Sequence, residues 1–344
     1  MSGPYRPPPR PRPGVDALVA GVRGGDRAAL GQAITLVESS LPAHEAQAQA
    51  LLARLLPWTG GALRVGITGV PGAGKSTLLE HLGVRLVERG HRVAVLAVDP
   101  SSGRTGGSIL GDKTRMVRLG ADPRAFIRPS PTGGTLGGVH RRTRETLLLC
   151  EAAGFDVVFV ETVGVGQSET AVAEMVDTFV VLSLAGGGDE LQGIKRGVLE
   201  LAEVLCVHKA DGENAAAAAR AARAHESALH YLRPTTPGWT TPVVCASALA
   251  DLGLEELWDA ILAHRAHLEA TGALRARRQE QLRRWMWSLV EDGLKQALAA
   301  HPGVAAAAPA VEAEVLAGQE TPLRGARALL GAFFGRGPDG AGGA

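Results

Sequence analysis

Aromatic residues are scarce: Phe, Trp and Tyr make up 4% of the 344 residues, and the 45% that is hydrophobic leans on Ala, Val and Leu. Cysteine is scarcer still. Cys150, Cys206 and Cys245 are the only three, and no two form a CxxC pair. Cys206 and Cys245 lie in apolar runs, so they are expected to be small core residues of a reducing compartment. Neither sign of charge is in surplus, with 36 Lys and Arg against 35 Asp and Glu. Without a global basic field, nucleic acid and anionic membrane surfaces are not expected partners, and any anion must be bound by a local site. No apolar run reaches the roughly 18–20 residues that a bilayer span needs. The opening MSGPYRPPPRPRP has no apolar h-region, and its prolines block an amphipathic transit helix. It is expected to be a disordered tail, and the chain to be cytoplasmic.

What is present is a change of pattern along the chain. Residues 14–60 read as helices, with Asp26 as an N-cap, Pro42 opening a helix and Pro57 ending it. From residue 61 to 270, short apolar runs alternate with helical stretches. Strands are expected at 64–68, 92–98, 156–161, 178–184, 203–208 and 242–245. These runs are mostly apolar throughout rather than alternating, as parallel strands buried on both faces are. Helices are expected at 75–89, 139–153, 191–201, 214–232 (capped by Asn214) and 254–268. The fold class that follows is α/β, a doubly wound and mainly parallel sheet with added helices at both ends. Residues 273–300 read as one amphipathic helix with Leu282, Trp285, Met286, Leu289, Val290 and Leu294 on its apolar stripe. That stripe packs either on the chain's own core or on a partner. Residues 301–335 read as a Pro/Ala linker and one further helix, within a C-terminal helical arm over 271–335. Residues 336–344 read as a flexible tail.

The segment Gly69-Val70-Pro71-Gly72-Ala73-Gly74-Lys75-Ser76, followed by Thr77, fits G-x-x-x-x-G-K-[ST] in full. It sits between an expected strand and an expected helix, the context a phosphate-binding loop needs. Backbone N–H groups can curl around a β-phosphate there, and the helix N-terminus favours an anion. Lys75 can bridge the β- and γ-phosphates, and the Ser76 hydroxyl can ligate Mg²⁺. Asp99 and Glu161 each end an expected strand, at the edge where open α/β sheets place ligands. One carboxylate can bind the metal directly and the other through water.

His208-Lys209-Ala210-Asp211 resembles the guanine-reading N-K-x-D motif. A carboxylate at Asp211 can accept both the N1–H and the N2 amine of guanine, a donor pair that adenine lacks. The Lys209 stem can stack along the base. Ser247, Ala248 and Leu249 resemble the loop whose backbone N–H contacts the guanine O6. His208 departs from the motif's Asn, which usually ties this loop to the phosphate loop. Its different shape predicts weaker GTP affinity or specificity.

Several longer stretches resemble the methylmalonyl-CoA mutase-associated GTPases, the MeaB or ArgK family. They are VDPSS (98–102), TGGSILGDKTRM (105–116), FDVVFVETVGVGQSE (155–169), GGGDELQGIKRG (186–197) and RRQEQLRRWMW (277–287). The resemblance implies a homodimeric GTPase that uses Mg²⁺ and GTP/GDP and serves as a G-protein chaperone of an adenosylcobalamin-dependent acyl-CoA mutase. It further implies that the arm dimerises, that Asp112 joins Ser76, Asp99 and Glu161 at the metal, and that Gly164 senses the γ-phosphate. Asp189, Gln192 and Lys195 would lie in an additional switch, with Lys195 or Arg115 supplying charge during hydrolysis. A second departure is Leu184-Ala185-Gly186-Gly187, where the family more often has proline and alanine. No D-x-H-x-x-G motif occurs, so cobalamin is not expected to bind directly. The alternatives are an ATPase or kinase linked to amino-acid transport, a metal-insertion GTPase, and a nucleotide-binding scaffold with scant turnover. The dispersed histidines and the missing CxxC weigh against metal insertion.

Overall fold

The computed structural model describes residues 13–39, 41–98, 116–129, 136–162, 168–185 and 196–335. Three helices lead: α1 (Val15–Arg23), α2 (Arg27–Val37) and α3 (Pro42–Leu55). The Asp26 carboxylate starts α2 by accepting the N–H groups of Ala28 and Ala29 at 2.7 and 3.3 Å. Pro42 opens α3, where its missing N–H costs nothing.

The α/β region follows as β1 (Leu63–Gly69), α4 (Lys75–Glu88), β2 (Val93–Val98), α5 (Val117–Ala121), β3 (Ala125–Arg128) and α6 (Leu136–Ala152). It continues through β4 (Val157–Thr162), α7 (Ser168–Ala173), β5 (Thr178–Leu184), α8 (Arg196–Leu199), β6 (Val204–His208), α9 (Ala215–His230), β7 (Val243–Ala246) and α10 (Leu254–Ala270). The strands form one seven-stranded sheet in the order β3-β2-β4-β1-β5-β6-β7. Every pairing is parallel. Chain order departs in both directions from central β1, so its carboxyl end opens on a crevice.

Both sheet faces are covered. Val158 and Val160 face a layer with Leu30, Ile34, Leu51 and Leu55 of the leading helices. Val157 and Phe159 face Leu78, Leu82, Trp258 and Ile261 of α4 and α10. This two-sided burial is why the strands read as continuous apolar runs.

The opposite end of the sheet is fastened by charge. Asp177, just before β5, has a side chain with no exposure to solvent. It accepts the Arg64 N–H at 3.0 Å, Arg265 Nη1 at 3.0 Å, and Arg278 Nε and Nη2 at 2.8 and 2.6 Å. Burial alone would raise this carboxyl, but the hydrogen bonds and charges of Arg278 and Arg64 hold it below its ordinary value. Beside it, buried His264 bonds to Thr178 at 2.8 Å and to Thr236 at 3.2 Å.

The chain divides into two compact units, Met1–Gln281 and Leu282–Ala344. The division falls inside α11 (Ala273–Ala300), after which come α12 (Pro302–Leu316) and α13 (Pro322–Phe333). Within the second unit, α12 and α13 pack on each other, with His301 edge-on to Phe333 at 5.2 Å.

Four expectations need correction. Strand β3 has only four residues and was not legible against its neighbours. Residues 301–335 hold two helices rather than a linker and one helix. The alanine run after Pro302 has the highest helix propensity, and it carries Pro309 within the helix. Asn214 does not cap α9 with its side chain, which donates instead to the Lys209 carbonyl at 2.7 Å. Cys245 is exposed rather than in the core, because β7 is an edge strand. Of the helix expected at 191–201, only α8 lies among the described residues.

Candidate nucleotide site

The loop between β1 and α4 is shaped by glycines. Gly69 has φ of 152°, and a Cβ there would sit 2.4 Å from the Leu182 carbonyl oxygen of β5. Gly74 has φ of 89°, and a Cβ there would stand 2.8 Å from His208 Nδ1. Both positions therefore require glycine. Between them the Ala73 N–H returns to the Val70 carbonyl at 3.1 Å, and the Gly74 carbonyl accepts the Leu78 N–H at 2.8 Å to begin α4. Pro71 and Gly72 are exposed at the rim, Ala73 is fully buried, and Ser76 and Thr77 are half-buried.

Lys75 is buried, and its Nζ donates to the Gly69 carbonyl at 2.8 Å and the Val70 carbonyl at 3.4 Å. The ammonium is thus drawn over the loop that would hold phosphates. Burial pushes it below its ordinary pKa, against the opposing charges of Glu161 and Glu169. Ser76 Oγ donates to Glu161 Oε1 at 2.8 Å. Two hard oxygens, one from the first turn of α4 and one from the end of β4, thereby meet at the foot of the loop. Beneath them the Thr68 and Thr162 hydroxyls share a hydrogen bond at 2.8 Å, joining β1 to β4.

The base side converges on the same loop. Lys209 has φ of 60°, and its Cε lies 3.8 Å from the Cβ position of Gly74, so the stem passes along the phosphate loop. Asp211 is half-buried three residues beyond His208. Ser247 and Leu252 exchange two backbone hydrogen bonds at 2.9 and 3.0 Å, pinching the loop that carries buried Ala248 and exposed Leu249. The Ala248 N–H donates to His208 Nε2 at 3.2 Å, so it is directed at the imidazole.

The structure therefore gathers Gly69 to Thr77, Glu161, His208, Lys209 and Ala248 around one crevice. Asp99, Asp112, Arg115, Gly164, Asp189, Gln192 and Lys195 lie outside the described residues. Two acidic residues were missed from sequence. Glu169, on α7, is buried with its charge acting on Lys75. Its only sequence signal was a carboxylate seven residues past the end of a buried strand. Glu80, on the loop's own helix, accepts the N–H groups of Arg118 and Leu119 at 2.7 and 3.1 Å. It thereby fastens α5, which follows residues 99–115, to α4; a glutamate inside an amphipathic helix gave no hint of this.

Known proteins resemble this chain in sequence and fold. The family described as methylmalonyl-CoA mutase-associated GTPase MeaB matches residues 30–303. A Mycobacterium tuberculosis protein named as a probable GTPase is 59% identical over 316 residues, 92% of this chain and 94% of that protein. The mouse protein named methylmalonic aciduria type A homolog, mitochondrial, is 47% identical over 335 residues, 94% of this chain and 80% of its own. A solved structure described as LAO/AO transport system kinase superposes with a TM-score of 0.75 at 41% identity, covering 92% of this chain and 96% of its own. The match runs from α2 into α12, and on that ground the chain belongs to the MeaB family of methylmalonyl-CoA mutase-associated GTPases and is itself a GTPase.

Proposed function

We propose that this GTPase is a guanine-nucleotide-gated chaperone of an adenosylcobalamin-dependent acyl-CoA mutase, controlling cofactor loading and protecting the mutase. The observation that carries this reading is the family match over residues 30–303, whose description couples GTPase to mutase. The mouse relative's name, methylmalonic aciduria type A homolog, agrees with a mutase partner.

In this reading Lys75 binds the β- and γ-phosphates, and Asp211 with Lys209 reads the base. Ser76 and Glu161 hold Mg²⁺, joined by Asp99 and Asp112. The fit rests on their chemistry: the Ser76 hydroxyl and the Glu161 carboxylate are hard oxygen donors meeting at 2.8 Å. Mg²⁺ supplies charge neutralisation on the phosphates. The protein's own task is positioning, since phosphoryl transfer asks little covalent chemistry of it. Gly164 senses the γ-phosphate. Asp189, Gln192 and Lys195 respond to the partner, and Lys195 or Arg115 supplies the charge that accelerates hydrolysis. Cobalamin is gated rather than bound.

Homodimerisation through the arm is part of the proposal. Leu282, Met286, Val290 and Leu294 recur every fourth residue on α11, and each is exposed, as is Trp287. Residues four apart share a helix face, and apolar faces of this kind mark interaction surfaces. Among the described residues no helix is long and apolar enough to cross a membrane, and a cytoplasmic location completes the reading.

The description of the solved relative as a transport system kinase favours a second reading, an ATP-using kinase. One experiment separates them: turnover of GTP and of ATP with Mg²⁺, alone and with a cobalamin-dependent acyl-CoA mutase from the same source. GTP-selective turnover that rises with the mutase supports the chaperone. Turnover of ATP at least as fast, indifferent to the mutase, overturns it.

A further inference from the structure

His208 does more than stand in for a missing asparagine. It ends β6 with 2% of its surface exposed, wedged between two loops. Nδ1 lies 2.7 Å from the Ala73 carbonyl oxygen, and a carbonyl can only accept, so Nδ1 carries the proton. Nε2 lies 3.2 Å from the Ala248 nitrogen, whose N–H can only donate, so Nε2 must be bare. The two contacts together demand a neutral ring in one tautomer. The fit is tight on the third side, where Gly74 leaves no room for a Cβ beside Nδ1 and Cε1. Asparagine could also donate with one end and accept with the other. The imidazole differs in that a single proton removes its acceptor.

We propose that His208 is a positioning residue whose neutral ring ties the phosphate loop to the base-facing loop 247–252, and whose protonation weakens nucleotide binding. On protonation, Nε2–H would confront the Ala248 N–H, donor against donor, and one of the two struts between the loops would be lost. Ala73 and Ala248 flank the phosphates and the base respectively, so the loss is felt as nucleotide affinity rather than as chemistry. The charged and titratable groups around the ring are Lys209 and Asp211 of its own loop and His81 of α4. The facing loop adds Asp251, which Arg85 of α4 already holds. Burial, Lys209 and His81 oppose protonation, whereas the Ala73 carbonyl and Asp211 favour it. The net effect of these surroundings is a ring below its ordinary value, so it stays neutral and the strut intact at neutral pH.

The inference rests on the crevice being the nucleotide site, and the test separates the two. Affinity for fluorescent mant-GDP and mant-ADP is measured from pH 8 to pH 5 for the wild type, His208→Asn and His208→Ala, with folding checked by circular dichroism at each pH. The nucleotide's own titration is common to all three, so the difference between wild type and His208→Asn isolates the ring. As acidification protonates the ring, the wild type is expected to lose affinity that His208→Asn keeps, up to about tenfold for one hydrogen bond. His208→Ala should be about tenfold weaker at pH 8, with no extra acid loss. Nitrogen-15 spectra of the histidines should show a neutral ring protonated on Nδ1 at pH 8. Parallel pH profiles for wild type and His208→Asn, or a ring protonated on Nε2, overturn the proposal. Equal binding of mant-ADP would sink the guanine reading alone, because the strut can be read with either nucleotide.

Discussion

Replacing Asp177 with alanine should destabilise the fold by about 3–5 kcal/mol while leaving the nucleotide site intact. The carboxylate is wholly buried and accepts four hydrogen bonds, one from the Arg64 backbone and three from the guanidinium groups of Arg265 and Arg278. Those two side chains are only 17% and 14% exposed, so deleting Asp177 takes the salt-bridge partner from Arg278 in a poor solvent, while Arg265 keeps Glu269. Breaking a buried pair costs about 3–5 kcal/mol, against about 0.2–1 for an exposed one. Domain stability is typically about 5–15 kcal/mol, so a fifth or more of the total is at stake. Asp177→Asn keeps the shape and an acceptor but not the charge, and should cost less. The assay is equilibrium urea unfolding followed by circular dichroism. Asp177 precedes β5 at the end opposite the crevice, so folded Asp177→Ala should bind GDP within about twofold of wild type. The pH dependence has a definite sign. The folded carboxyl lies below its unfolded value of 3.8, so its contribution is complete above that pH and is lost as pH falls further. A loss below 1 kcal/mol would refute the reasoning, because the cluster would then behave as a surface ion pair.

Three further outcomes follow from other parts of the molecule. The buried His264 is held down to about 3 by burial first, then by the charges of Arg277 and His267. As pH falls from the unfolded value of 6.5, the unfolded chain takes up the proton first. Stability should then drop by about 1.4 kcal/mol per pH unit from this group, or about 2 kcal/mol by pH 5; urea midpoints for wild type and His264→Asn that shift in parallel would exclude it. Gly74→Ala combines a φ of 89° with a Cβ 2.8 Å from His208 Nδ1. The strained backbone alone costs about 1–3 kcal/mol, so mant-GDP affinity should fall at least tenfold, and a change under twofold would count against the geometry. Glu161→Gln removes the charge that meets Ser76. It should cut Mg²⁺-dependent GTP turnover roughly a hundredfold while leaving GDP affinity in EDTA within about threefold. Equal losses in both measurements would point to a collapsed loop instead.

The amino-acid sequence by itself determined the class of fold and the phosphate loop. Continuous apolar runs mark strands covered on both faces, and the glycine spacing from Gly69 to Gly74 is dictated by local backbone geometry, which a chain carries wherever it folds. Strand β3 was illegible for the converse reason, since four residues at a sheet edge bury too little to leave a pattern. The alanine run after Pro302 read as a linker because helix propensity alone, with no amphipathic stripe, looks like low complexity. Tertiary structure decided everything that depends on partners distant in sequence. His208 looked like a weakened motif until folding brought it between Ala73, 135 residues away, and Ala248, 40 residues away. Asp177 was an unremarked acid until Arg64, Arg265 and Arg278 closed on it from three elements. Glu169 and Glu80 gained their roles in the same way. A side chain's type fixes what bonds it can make, but only the folded chain sets which groups are buried within reach, and burial is what turns those bonds into stability and specificity.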